Sequence, residues 1–334
     1  VAYEIVENGG VLRAEITNFW EMVFNPSTMP RFSHTVVGAF LQGAFLVLSV
    51  SAYFILKKRH VDLAQRAMRV GVIVVLIASF TELALGHWSA QVVAEHQPVK
   101  LAAMEGHYET AEGVSLTAIG WTDSEAETTT GIEIPKALSF LAFNDFEAEV
   151  KGLNDYPRDE WPDVEMVFMT FHIMVALGML FIAYGVFGVF LLWRKAFFKQ
   201  KWLLMATVPA VILPILANQL GWVTAERGRQ PWVVQDLLRT KDAISKSVSA
   251  EEILASIIMF VLLYTLLFFV WVYVLNKEIK HGPELPKSLL KQDLYPQRHE
   301  RVDVIGKSLP SGYVVKDERE KAAEKHKDQP TPVN

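Results

Sequence analysis

Five long apolar runs, separated by charged segments, constrain this chain more than any other feature. A bilayer core of ~30 Å is crossed by roughly 20 helical residues, and inside it every backbone polar group needs an internal partner. Runs of that length therefore predict membrane-spanning helices. They fall at Val36 to Leu56, about Val70 to Leu85, about Val164 to Trp193, Leu203 to Val223 and Ile253 to Leu275. The second is short and contains Glu82, so alone it also suits a buried helix of a soluble protein; its neighbours argue for a span. The expected fold is all-α, a bundle of about five transmembrane helices with a long external loop.

Loop charges orient the bundle. Lys57, Lys58, Arg59, Arg66 and Arg69 lie between the first two runs, and Arg194, Lys195, Lys199 and Lys201 between the third and fourth. Both loops read as cytoplasmic. From Trp88 to Asp163 there are 15 acidic residues against Lys100, Lys136, Lys151 and Arg158, so that loop reads as external. Thr224 to Ala250 must then be external too, although it carries Arg227, Arg229, Arg239, Lys241 and Lys246. The N-terminus is expected outside and the C-terminus inside. Val1 is preceded by no signal sequence, which suits a chain with further spans upstream. The expected division is an external lead-in (1–33), two spans (34–86), an external loop (87–163), three spans (164–275) and a polar cytoplasmic tail (276–334), disordered at its end. A loop of this length is expected to be functional.

Composition narrows the chemistry. With no cysteine, the chain has no thiolate metal site, iron–sulfur ligation or disulfide. Metal chemistry is left to His, Met and carboxylates. A net charge of −5 implies no nucleic-acid partner.

Ligand-type and ionisable groups in or near spans ask for partners. His34 stands at the entrance of the first span and Met174 near the same end of the third. A His and a Met facing each other can ligate a low-spin haem iron, although each residue type more often serves packing or an interface. His172 lies about 200° round the helix from Met174, so only one of them faces a given haem. A bis-His pair of His34 and His172 stays open. Glu82 suits either a polar interior or a proton path. Gly221 to Trp232 closes the fourth span with Glu226, Arg227 and Arg229 between Trp222 and Trp232. Guanidinium forks suit haem propionates and a carboxylate can ligate iron; an aromatic belt with interfacial ion pairs is the plainer alternative. Lys100 and Glu105 sit in the external loop about 140° apart on a helix, where both could reach one quinol or act as a solvated surface pair.

These segments resemble the large subunit (subunit I) of cytochrome bd-type quinol oxidases, in its C-terminal part. The carriers are Gly221 to Trp232, Lys100 to Glu105, Arg31-Phe32-Ser33-His34-Thr35 after Asn25-Pro26, Phe171-His172-Ile173-Met174, and Ile134 to Phe140, in the family's order over roughly residues 1–280. The resemblance implies that His34 and Met174 are axial ligands of a low-spin haem b. It implies that Lys100 and Glu105 bind and deprotonate quinol, that Glu226 ligates a high-spin haem b, that Trp222 stands between haems and that Arg229 holds a propionate or tunes potential. A haem d would be shared with a partner chain. Two departures are His172, where the family often has Arg, and the lack of about four earlier spans. Either another polypeptide supplies those spans, as in a split large subunit, or this is a truncated product; the implied partners are such a chain, the oxidase's small subunit, and membrane lipid with its quinol. The implied place is a bacterial or archaeal cytoplasmic membrane. The function expected is the haem-bearing part of a quinol:oxygen oxidoreductase. The alternatives are a quinol-oxidising cytochrome b module serving another acceptor, and a haem-free structural subunit.

Overall fold

The computed structural model describes residues 3–8, 11–244 and 247–283. The tail expected over 276–334 lies outside the described residues from 284 onward. An antiparallel pair, β1 (Tyr3–Asn8) and β2 (Val11–Ile16), leads to the short helix α1 (Phe19–Val23). Helices α2 (Thr28–Leu56) and α3 (Val61–His96) form a hairpin. Helix α4 (Pro98–Glu105) follows at once. Next come β3 (Ala111–Glu112), β4 (Leu116–Asp123), β5 (Thr128–Ile134), α5 (Ala137–Phe143) and β6 (Glu149–Val150). Helix α6 (Val164–Trp193) re-enters the bundle. Helices α7 (Lys201–Thr207) and α8 (Ile212–Arg227) continue one another through the turn at Pro209–Val211. A small pair, β7 (Trp232–Val234) and β8 (Leu238–Arg239), precedes α9 (Ala250–His281).

Five helical units are long and apolar enough to cross a membrane: α2, α3, α6, α7–α8 together, and α9. Two overrun the expected limits by the widest margin at one end. The first begins at Thr28 rather than Val36, which puts His34 inside a helix and not at its entrance. The second runs Val61–His96 rather than Val70 to Leu85. Hydropathy marks only residues suited to hydrocarbon, whereas backbone hydrogen bonding continues through polar flanks. Pro30 is tolerated because it lies in the first turn, where its missing N–H has no helical partner anyway. Pro98 ends α3, since the residue before a proline is pushed out of helical geometry; Gln97 has φ −140°.

The segment between α3 and α6 is not bare loop. β4 and β5 form a hairpin, β3 pairs with β6, and α4 and α5 pack beside them. Thr128, Thr129, Thr130, Ile132 and Ile134 are β-branched and favour a strand. Asp123 shapes the turn by accepting from the backbone N–H groups of Glu125 and Ala126, each at 2.9 Å.

The main core lies where α2, α3 and α6 meet, around Leu41, Phe45, Leu48, Met68, Val72 and Phe181. Arg239 accounts for part of the positive charge of the segment after α8. Its guanidinium spans Asp159 (2.6 Å) and Glu160 (3.2 Å), so the long segment's acids answer it. α9 stands apart: among the described residues, none buries any part of its apolar stretch. Arg59 holds one end, donating to the carbonyl of Lys280 at 2.7 Å.

Candidate functional site

Helix register sets the site. Ser49 Oγ donates to the carbonyl of Val208 at 2.5 Å, and a Cβ on Gly38 would lie 2.9 Å from Asn218 Oδ1. α2 and the fourth span are therefore antiparallel. One more turn, about 5.4 Å, brings His34 level with Gly221. A Cβ on Gly221 would lie 2.7 Å from Met174 Sδ, so the glycine is a notch for the thioether. His34 and Met174 thus occupy the same layer of α2, α6 and α8. The His34 ring also rests against Gly86 and Glu82 of α3; its Nδ1 is 3.2 Å from Glu82 Oε1. That approach is out of hydrogen-bonding alignment, and Nδ1 is buried without a hydrogen-bond partner. An unsatisfied imidazole nitrogen and a thioether seated in a notch, in one layer, are a donor set that fits a low-spin haem iron.

His172 does not share that availability. Its Nδ1 is 2.9 Å from the carbonyl of Phe168 and its Nε2 is 2.8 Å from the carbonyl of Thr117. Both ring nitrogens face backbone carbonyls, one within α6 and one on β4, and a neutral imidazole donates to one of them; this placement favours Met174 over His172 as the partner of His34. Glu82 leaves Oε2 buried without a partner beside His34.

At the end of α8, Arg229 Nη2 and Glu226 Oε2 pair at 2.6 Å. Trp222 is 64% exposed, so these residues face outward from the described bundle and not into its core. This edge suits a carboxylate ligand with a guanidinium beside it for a haem at the periphery of the chain. Lys100 joins the same end: its Nζ donates to the carbonyl of Ala225 at 3.2 Å, and a Cβ on Gly228 would lie 3.0 Å from its Cε. Burial pulls the Lys100 ammonium down to about 8; Arg31 and Arg229 push the same way and Glu226 opposes them.

Glu105 ends α4. It is buried, its Oε2 has no hydrogen-bond partner, and burial pushes its carboxyl up to about 8. Gly106 follows in the left-handed region (φ 61°), where a Cβ would meet Thr129 Oγ1 at 2.5 Å. Glycine thus lets the chain turn sharply after Glu105 while Thr129 donates to the Gly106 carbonyl at 2.6 Å. Glu105 lines a polar cavity of about 180 Å³ under the β4–β5 hairpin. Lys100 does not line it. The two residues lie on one short helix, yet Lys100 turns to α8 and Glu105 to the hairpin. Sequence reading missed Asn218 against Gly38, Gly86 beside His34, and His107, Thr129 and Glu133 beside Glu105. The first pair lies on helices whose mutual rotation is not visible in one dimension, and Glu133 reaches the cavity only through the hairpin.

Among the described residues there is no group of three or more His, Cys, Asp or Glu able to hold a bare metal ion. The profile of the family described as cytochrome bd terminal oxidase subunit I matches residues 1–283. The chain is 40% identical over 274 residues to a putative cytochrome bd menaquinol oxidase subunit I of Bacillus subtilis, covering 76% of this chain and 61% of that one. It is 35% identical over 290 residues to the cytochrome bd ubiquinol oxidase subunit 1 of the same organism, covering 84% and 61%. The solved bd oxidase of Geobacillus thermodenitrificans is similar at a TM-score of 0.74 and 29% identity, over 85% of this chain and 64% of that one. The chain thus spans about 61% of the length of the two Bacillus relatives.

Proposed function

Because this chain belongs to the cytochrome bd terminal oxidase subunit I family, we propose that it is the quinol-oxidising, haem-bearing part of a membrane quinol:oxygen oxidoreductase. His34 and Met174 hold a low-spin haem b. Glu226 ligates a high-spin haem b, with Arg229 on a propionate and Trp222 between the haems. A haem d and a small subunit complete the complex. When bound, the low-spin haem supplies a one-electron acceptor. Glu105 takes protons from quinol, and Lys100 fixes α4 and its quinol face against α8. The quinol side faces outward from the cytoplasmic membrane, and the segments around Lys57 and Lys195 face inward.

One observation carries this reading. Lys100 bonds the Ala225 carbonyl, one turn from Gly221 and the Met174 sulfur. The helix bearing the proton acceptor and the layer bearing the haem ligands are thereby fastened at one helix end. A low-dielectric site that raises a carboxyl toward neutrality is also where acid–base work at near-neutral pH is done.

The test is the purified complex with its subunits identified. Quinol should drive oxygen consumption and reduce both b-type and chlorin-type bands. A single b band that quinol reduces without oxygen uptake would favour a module serving another acceptor, and a colourless complex would defeat the reading. The Met174 notch gives a sharper check. Gly221→Val should displace the thioether and lower the low-spin haem's midpoint potential. A fall on the order of 100 mV is expected, a fraction of the roughly 0.8 V that axial ligation commands. A redox titration of the b band measures it.

A further inference from the structure

We infer that Glu133 is the proton-exit residue of the quinol site, drawing protons from Glu105 through the polar cavity between α4 and the β4–β5 hairpin. The inference rests on the proposed role of Glu105 and adds a second residue to it.

The cavity touches a carboxyl that is only 6% exposed, Glu105, and one that is open to solvent, Glu133. His107, Ser115, Thr117 and Thr129 complete the polar part of its wall. About 180 Å³ holds several waters, each taking ~30 Å³ of liquid. Glu105 Oε2 has no protein partner, as expected of an oxygen that bonds cavity water. The backbone builds this wall on purpose-fitted contacts: Thr129 clamps the Gly106 carbonyl, and Gly106 has no room for a side chain. Thus β5, which carries Glu133, is fastened to the residue next to Glu105.

Other ionisable groups around α4 are engaged elsewhere. Lys100 bonds Ala225, Tyr108 bonds Thr122, Asp155 accepts from Thr110, Glu165 accepts from Ser124, His96 lies beside Glu95, and His172 spans two carbonyls. Of the two remaining groups on the cavity, His107 Nε2 meets the Val150 carbonyl at 3.3 Å, and burial lowers its affinity for a proton. Glu133 is the acceptor left facing both cavity and solvent.

The chemistry balances. Each quinol O–H that breaks leaves its proton on the Glu105 carboxylate and its electron on a ferric haem. Glu105 then donates that proton to a cavity water, which passes one on to the Glu133 carboxylate; Glu133 releases it to the outer water. A buried carboxyl resting in its neutral form accepts a new proton only after such a transfer.

The test uses the purified complex in proteoliposomes with a short-tailed ubiquinol. Glu133→Gln should lower kcat roughly ten-fold with KM unchanged. That is less than the ~10²-fold or more of a lost general base, because water still reaches Glu105. Proton release to the outer medium should slow in step, the dithionite-reduced spectrum should be unchanged, and Glu133→Asp should restore most of the rate. A small weak acid such as formate should rescue Glu133→Gln. An unaltered rate and proton release at every pH in Glu133→Gln would overturn the exit route while leaving Glu105 in place. If Glu105→Gln also turns over normally, the quinol-site reading itself fails.

Discussion

Replacing His34 by Ala should abolish the low-spin b band of the reduced-minus-oxidised spectrum. His34 shares a layer with Met174 and has a buried ring nitrogen without a hydrogen-bond partner. Met174 alone cannot hold a six-coordinate iron. Quinol-driven oxygen uptake should fall at least roughly 10²-fold, since loss of even an outer-shell partner at such sites commonly costs 10–100-fold. The substitution removes a half-buried ring beside Gly86 and Glu82 without touching the main core, so the chain should still insert. An unchanged b band in a correctly assembled His34→Ala complex would show that the iron is held elsewhere.

The second large effect is expected at Glu105. Glu105→Gln keeps the shape and removes the base, so kcat should drop about 10²-fold while every haem band stays in place. The pH dependence has a definite sign. Burial raises the Glu105 carboxyl from 4.5 to about 8, so below that pH it is neutral and cannot accept a proton. The parent complex should gain rate as pH rises through about 8, and the Gln variant should lose that inflection. Stability runs the other way. Between about 4.5 and about 8 the folded segment keeps a proton that the unfolded chain gives up, so the fold around α4 weakens as pH rises across that window and levels off above it. Steady-state rates against pH, with thermal melting of the same samples, measure both.

The spans were legible because twenty apolar residues in a row have few other solutions. Their overhangs were not. Residues 28–35 and 87–96 are polar enough to read as loop, and only backbone continuity shows that His34 and Glu95 are helical. The strands between α3 and α6 were hidden for a different reason. The alternation Ile119, Trp121, Ile132, Ile134 is interrupted by a register shift near Thr117, and its apolar side faces outward, so it lacks the usual in–out pattern. At the site, residue types were readable but directions were not. Lys100 and Glu105 are five positions apart and both buried, yet they serve different walls. The contact of His172 with the Thr117 carbonyl comes from β4, 55 residues away, and no spacing along the chain announces it.

α9 is moored at one end, and no other described residue covers its apolar stretch. Lipid tails are as oily as leucine, so no hydrophobic force draws such a rod toward its siblings. Its spelling can drift among Leu, Ile, Val and Phe wherever it meets acyl chains, and the layer of His34 and Met174 will not register the change.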